Sequence, residues 1–189
     1  MVLINYAQQT VTLKIVYWGP YKSGKTANLK YLCENISPML RSELTVLEGE
    51  ISQTLLFDYM NIDAGNIKGF KTILNLFGAA ADPKSIVFND IVLKDADGII
   101  FVADTQKERM LENLKSLEEL ENLIVGQNKK IPVIIQYNKR DLENTLSLDE
   151  MEKILNKKNY PAFEASVLKG IGVFACLKNI SNLILTDLQ

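Results

Sequence analysis

The chain has 189 residues, 47% hydrophobic and 23% charged, which suits one globular domain with a single core. Its formal net charge of -2 gives no general attraction for nucleic acid, because neutralising phosphates needs clustered Lys and Arg. It contains no histidine, which excludes a Ser-His-Asp triad, a Cys-His protease and any His-ligated zinc or iron.

The start, Met1-Val2-Leu3-Ile4-Asn5, has neither a signal h-region nor a myristoylation glycine, and the end carries no prenylation cysteine. No stretch is long and apolar enough to cross a bilayer. These features predict a cytoplasmic protein with no integral membrane segment. Thr10 to Trp18 reads as a strand, since Val11, Leu13, Ile15 and Tyr17 alternate with Thr12, Lys14 and Val16 until Gly19-Pro20 stops the pattern. A helix is expected from about Lys25 through Leu32. The stretch from Ile36 to Gln53 mixes Pro38, charges and Gly49 and reads as a long functional loop, a candidate switch.

Thr54 to Ile62 and Phe70 to Phe77 read as neighbouring strands, with Asp63-Ala64-Gly65-Asn66 as the turn of an antiparallel hairpin. Gly78 to Ser85 is a second irregular loop. Gly98 to Ala103 and Ile131 to Gln136 are short, nearly all-apolar runs, as expected of parallel strands covered on both faces. Leu111, Leu114, Leu117, Leu120 and Leu123 recur at helical spacing, and so do Phe174, Leu177, Ile180 and Ile184. Strands alternating with helices predict an α/β fold with a mostly parallel central sheet, one antiparallel edge hairpin and helices on both faces. Cys33 and Cys176 sit far apart within apolar patterns, which predicts buried reduced thiols.

Gly19-Pro20-Tyr21-Lys22-Ser23-Gly24-Lys25-Thr26 satisfies G-x-x-x-x-G-K-[ST] between a strand and a helix start, where a phosphate loop must lie. Glycines let backbone N–H groups converge on phosphate oxygens, and the helix N-terminus adds partial positive charge. Lys25 then reaches the outer phosphates, and the Thr26 hydroxyl is offered to Mg2+. Gly19, Tyr21, Lys22, Ser23, Gly24 and Ala27 complete the expected phosphate contacts. Asn138-Lys139-Arg140-Asp141 follows the Ile131 strand at the carboxyl edge of the sheet, where ligands bind in such folds. A carboxylate there accepts from both N1–H and the exocyclic amine of guanine, while adenine presents the wrong donors. Asn138, Lys139 and Asp141 are therefore expected to read the base, joined by Ser166 and Val167 after the apolar Tyr160 to Phe163 run. Both loops together predict GTP and GDP as ligands.

With the phosphate loop, the base-reading segment, Val102-Ala103-Asp104 and Lys68-Gly69-Phe70-Lys71-Thr72, the chain resembles the MglA-like bacterial Ras-like polarity GTPases across nearly its full length. Ile4-Asn5-Tyr6-Ala7 resembles that family's extra leading strand. The resemblance implies a P-loop GTPase fold over residues 1–189 as a single domain and a molecular switch in cell polarity or motility. It implies a roadblock-fold (MglB-like) activator, switch-region effectors, and partners that recruit the protein to a cell pole or membrane. The family's Thr-Val-Pro-Gly-Gln stretch is Gly78-Ala79-Ala80-Ala81-Asp82 here, so Asp82 stands at the water-positioning glutamine. Gln53 replaces the family's switch arginine, which in such sites is worth about 10³ to 10⁵ in rate. Both changes predict slow or absent hydrolysis, with Gln53 and Asp82 as the catalytic candidates. Thr54 and Asp58 are the further metal-side candidates beside Thr26. A scaffold that holds nucleotide without turning it over is the alternative reading.

Overall fold

The structure, a computed structural model, describes residues 2–48, 55–67, 69–79, 86–125 and 130–186. A short strand β1 (Leu3–Asn5) pairs antiparallel with the first residues of β2 (Thr10–Trp18), matching the expected extra leading strand. Val11, Leu13, Ile15 and Tyr17 are all buried on β2, as their alternation requires. Helix α1 (Lys25–Asn35) follows, then β3 (Thr45–Glu48), β4 (Leu55–Ile67) and β5 (Phe70–Ala79). The rest alternates: α2 (Ile86–Leu93), β6 (Gly98–Asp104), α3 (Met110–Val125), β7 (Val133–Asn138), α4 (Leu148–Leu155), β8 (Ala162–Glu164) and α5 (Val173–Thr186).

One sheet carries these strands in the order β3-β4-β5-β2-β6-β7-β8. β5, β6, β7 and β8 run parallel to their neighbours from β2 outward, while β4 is antiparallel to β5 and β3 to β4. Every residue of β6 and β7 is buried, because helices cover the sheet on both faces. Leu29 and Leu32 of α1 and Val173, Leu177, Ile180 and Ile184 of α5 pack on Leu13, Ile15, Ile100 and Ile134. On the other face, Val92 of α2, Leu117 and Leu120 of α3 and Met151 and Leu155 of α4 pack on Val16, Ile99, Phe101 and Ile135.

Two expectations need correction. The stretch 36–53 is not simply a loop: Pro38–Leu40 form a 3-10 turn, and β3 pairs antiparallel with β4 as the edge strand. Nor is Asp63-Ala64-Gly65-Asn66 the hairpin turn. Asp63 pairs with Ile73 and Asn66 with Lys71, so β4 carries one extra residue there and continues to Ile67, which pairs with Phe70. The segment is a bulge. Gly65, at φ +78, donates its N–H to Asp63 Oδ1, and the Asp63 carboxylate is paired with Lys71 at 3.0 Å. Turn-forming residue types serve a bulge as well as a turn, which is why the composition misled. Cys176 is buried and Cys33 half-buried, and both are free.

From β2 the chain passes through α1 to the sheet edge at β3, works inward through β4 to β5 beside β2, then crosses to add β6 on the opposite side of β2. Such a reversal leaves a crevice at the carboxyl ends of the strands. The segments after β2, β6, β7 and β8 all leave the sheet at that edge.

Candidate functional site

Residues 19–24 leave β2 in a conformation open only to particular residues. Gly19 has φ +142, and a Cβ there would stand 2.3 Å from the Val102 carbonyl oxygen; Gly24 has φ +114, and a Cβ would stand 2.2 Å from Asn138 Nδ2. Side chains are thus excluded where the loop crosses β6 and β7. The loop's carbonyls are held individually. Lys25 Nζ donates to the oxygens of Gly19 (2.7 Å) and Pro20 (2.9 Å), Arg109 donates to that of Tyr21, Asn138 Nδ2 to that of Ser23 (2.8 Å), and Asn28 Nδ2 to that of Gly24 (2.9 Å). Because a peptide is planar, fixing a carbonyl on one side sends the following N–H to the other. The first turn of α1 has no acidic residue and no side-chain cap, so its N–H groups are free for an anion.

Lys25 is buried at 8% exposure, and burial draws its ammonium down to about 8, partly offset by the Asp58 carboxylate. Asp58, on β4, is 4% exposed. Burial pushes its carboxyl up, against a hydrogen bond from Thr26 and the charges of Lys30 and Lys25. Its Oδ1 has no hydrogen-bond partner, and neither does the buried Ser23 hydroxyl. Buried orphan oxygens of this kind call for a ligand or an ion. Thr26 and Asp58 together offer a hydroxyl and a carboxylate, the hard oxygen donors that Mg2+ takes in ones and twos beside water and phosphate. Among the described residues no three His, Cys, Asp or Glu cluster, so a cation here would depend on its ligand's own oxygens. The site fits Mg2+ in that limited sense.

Asn138 links the two halves of the site. At 2% exposure, its Nδ2 holds the Ser23 carbonyl and its Oδ1 accepts from the Val167 N–H at 3.2 Å. Lys139 sits at φ +68, a left-handed backbone that costs a non-glycine residue energy and concentrates at functional sites. Its Nζ pairs with Asp104 Oδ2 at 2.6 Å. The Asp141 carboxylate accepts from the Ser166 hydroxyl, which fixes its direction while leaving it half-buried. Arg140 turns away: its guanidinium donates to the Leu146 carbonyl and pairs with Glu164.

The structure therefore brings together Gly19, Ser23, Gly24, Lys25, Thr26, Asp58, Asn138, Lys139, Asp141, Ser166 and Val167 of the expected residues. Tyr21, Lys22 and Ala27 are exposed on the same loop and helix start, the Lys22 ammonium lying 5.3 Å from the Tyr21 ring centre. Gln53, Thr54 and Asp82 lie outside the described residues. Three supporting residues escape a reading of motifs: Asn28 and Gln136, which exchange amide hydrogen bonds at 2.8 and 3.0 Å between α1 and β7, and Arg109. A polar residue inside an otherwise apolar strand is the signal that could have found Gln136.

Residues 87–184 match the ADP-ribosylation factor family. The chain is also similar to the mutual gliding-motility protein MglA of Myxococcus xanthus (strain DK1622), with 41% identity over 192 positions that cover 100% of this chain and 98% of that protein.

Proposed function

The chain belongs to the ADP-ribosylation factor family of small GTPases, and from that premise we propose that it is a guanine-nucleotide switch with slow intrinsic hydrolysis. The observation that carries this is the double role of Asn138, whose one amide ties the phosphate loop at Ser23 to the base-side loop at Val167. The two loops are thereby parts of one cleft.

In this reading the N–H groups of residues 22–26 cradle the α- and β-phosphates, and Lys25 leaves its two carbonyl partners for the outer phosphates. Asp141, aimed by Ser166, accepts from the guanine edge, and a site built to hydrogen-bond a group rejects its absence by about 10⁴. Thr26, Asp58 and Thr54 are the residues that would hold Mg2+, and the metal, when bound, would neutralise phosphate charge. Gln53 and Asp82 stand where an arginine and a glutamine serve the family. A carboxylate beside a γ-phosphate is repelled by it and offers no cation in the transition state. Loss of the arginine alone removes about 4 to 7 kcal/mol of barrier lowering. Full-length similarity to a gliding-motility protein supports a role in motility. The polarity role, the roadblock-fold activator and recruitment to a pole or membrane by partners are proposed on the family resemblance alone.

Single-turnover hydrolysis of preloaded GTP tests this, with and without a roadblock-fold activator. The expected result is slow release of phosphate alone and acceleration by several orders of magnitude with the activator. Bound GTP that neither condition turns over would instead establish the scaffold reading, which the replacements at Gln53 and Asp82 favour.

A further inference from the structure

Arg109 ends a 3-10 turn (Lys107–Arg109) just before α3 and is 23% exposed at its side chain. Its guanidinium meets three oxygens: Asp104 Oδ2 at 3.6 Å, the Glu112 carboxylate and the backbone carbonyl of Tyr21 in the phosphate loop. Asp104 is fully buried, and Asn113 clamps its backbone on both sides, accepting from its N–H at 3.0 Å and donating to its carbonyl at 2.7 Å. The same Oδ2 also holds Lys139 at 2.6 Å.

Neutralising Asp104 does not explain this arrangement, because Lys139 already sits an ångström closer. What Arg109 adds is a charge-assisted donor to Tyr21, a loop carbonyl that Lys25, Asn138 and Asn28 do not hold. A planar guanidinium with five donors can engage all three oxygens together; an ammonium, a point charge, cannot do so in the same geometry. We propose that Arg109 is a positioning residue of the nucleotide site. It fixes the Tyr21 peptide, so that the N–H of Lys22 faces the phosphates, and through the shared Asp104 it ties the phosphate loop to Lys139 of the base-reading turn. This rests on the nucleotide-switch reading above.

The role predicts a distinct signature, because Arg109 acts on the phosphate side and leaves the Asp141 contact with the base alone. Release of fluorescent GDP and fluorescent IDP is measured for the unmodified chain, Arg109→Lys and Arg109→Gln, with thermal unfolding of each nucleotide-free protein. IDP lacks the exocyclic amine, so the ratio of the two rates reports base reading. Arg109→Gln is expected to release both nucleotides about tenfold faster, about 1.4 kcal/mol, with the GDP-to-IDP ratio and the unfolding midpoint unchanged. Arg109→Lys recovers only part of the loss. Release unchanged in both variants, full recovery by lysine, or acceleration that merely tracks a lowered unfolding midpoint overturns the assignment. Failure of the unmodified chain to bind GDP would instead overturn the nucleotide reading beneath it.

Discussion

Lys25 and Asp58 show how much of the site's chemistry is set by burial. The Lys25 ammonium is drawn from 10.5 to about 8, so its folded value lies below its unfolded one. Between about pH 8 and 10.5 the unfolded chain keeps a proton that the folded chain has released, and stability rises with pH across that window. A bound polyphosphate favours the ammonium, so binding has the opposite sign: GDP affinity is expected to fall about fourfold between pH 7 and 8.5. Equilibrium titrations showing a flat affinity over that range would contradict the contact. These two residues were legible in the sequence, Lys25 from its motif and Asp58 from its place beyond the first switch. Arg109 and Asn28 were not, because their work is done on backbone carbonyls, and a carbonyl leaves no mark in a sequence.

Among the elements, α4 owes its start to a capping box. Ser147 accepts from the Glu150 N–H while the Glu150 carboxylate accepts from the Ser147 N–H. Ser147→Ala is expected to cost about 1 kcal/mol and lower the unfolding midpoint by about 2 to 4 °C, with nucleotide affinity unchanged. Calorimetry of the variant, together with a binding titration, checks both halves of that expectation. It was not among the expected elements, whereas β2 announced itself by alternation, β6 and β7 as short apolar runs, and α3 and α5 by helical spacing. β3 did not, since four residues at a sheet edge among charges have no clear alternation. Nor did α2, whose run Ile86-Val87-Phe88-Asn89-Asp90-Ile91-Val92-Leu93 is too short and too apolar for its period to separate helix from strand. In α3 the strict three-residue spacing of leucines drifts off the core face: Leu117 and Leu120 are buried, whereas Leu111 is 71% exposed and Met110 and Asn113 take the inward positions.

At the scale of the whole molecule, one sheet edge gathers segments more than a hundred residues apart in sequence. Residues 19–26 follow β2, Asp104 ends β6, Asn138 ends β7 with residues 139–141 just after it, and Ser166 follows β8; parallel pairing sets all of them at the same end. The motifs could be read one by one, but their meeting through Asn138 depends on strand order, which the sequence does not state. Residues 49–54 and 80–85, which hold Gln53, Thr54 and Asp82, lie outside the described structure, and hydrolysis is decided by the assay proposed above. The central claim is a single cleft that holds phosphates at Lys25 and reads guanine at Asp141. Its most direct test is the affinity of the purified chain and of Asp141→Asn for GDP, ADP and XDP. The account predicts tight binding of GDP and no measurable ADP binding by the unmodified chain, with the variant weakened for GDP and gaining XDP. Equal affinity for GDP and ADP, or a variant as strong for GDP as the parent, would contradict it.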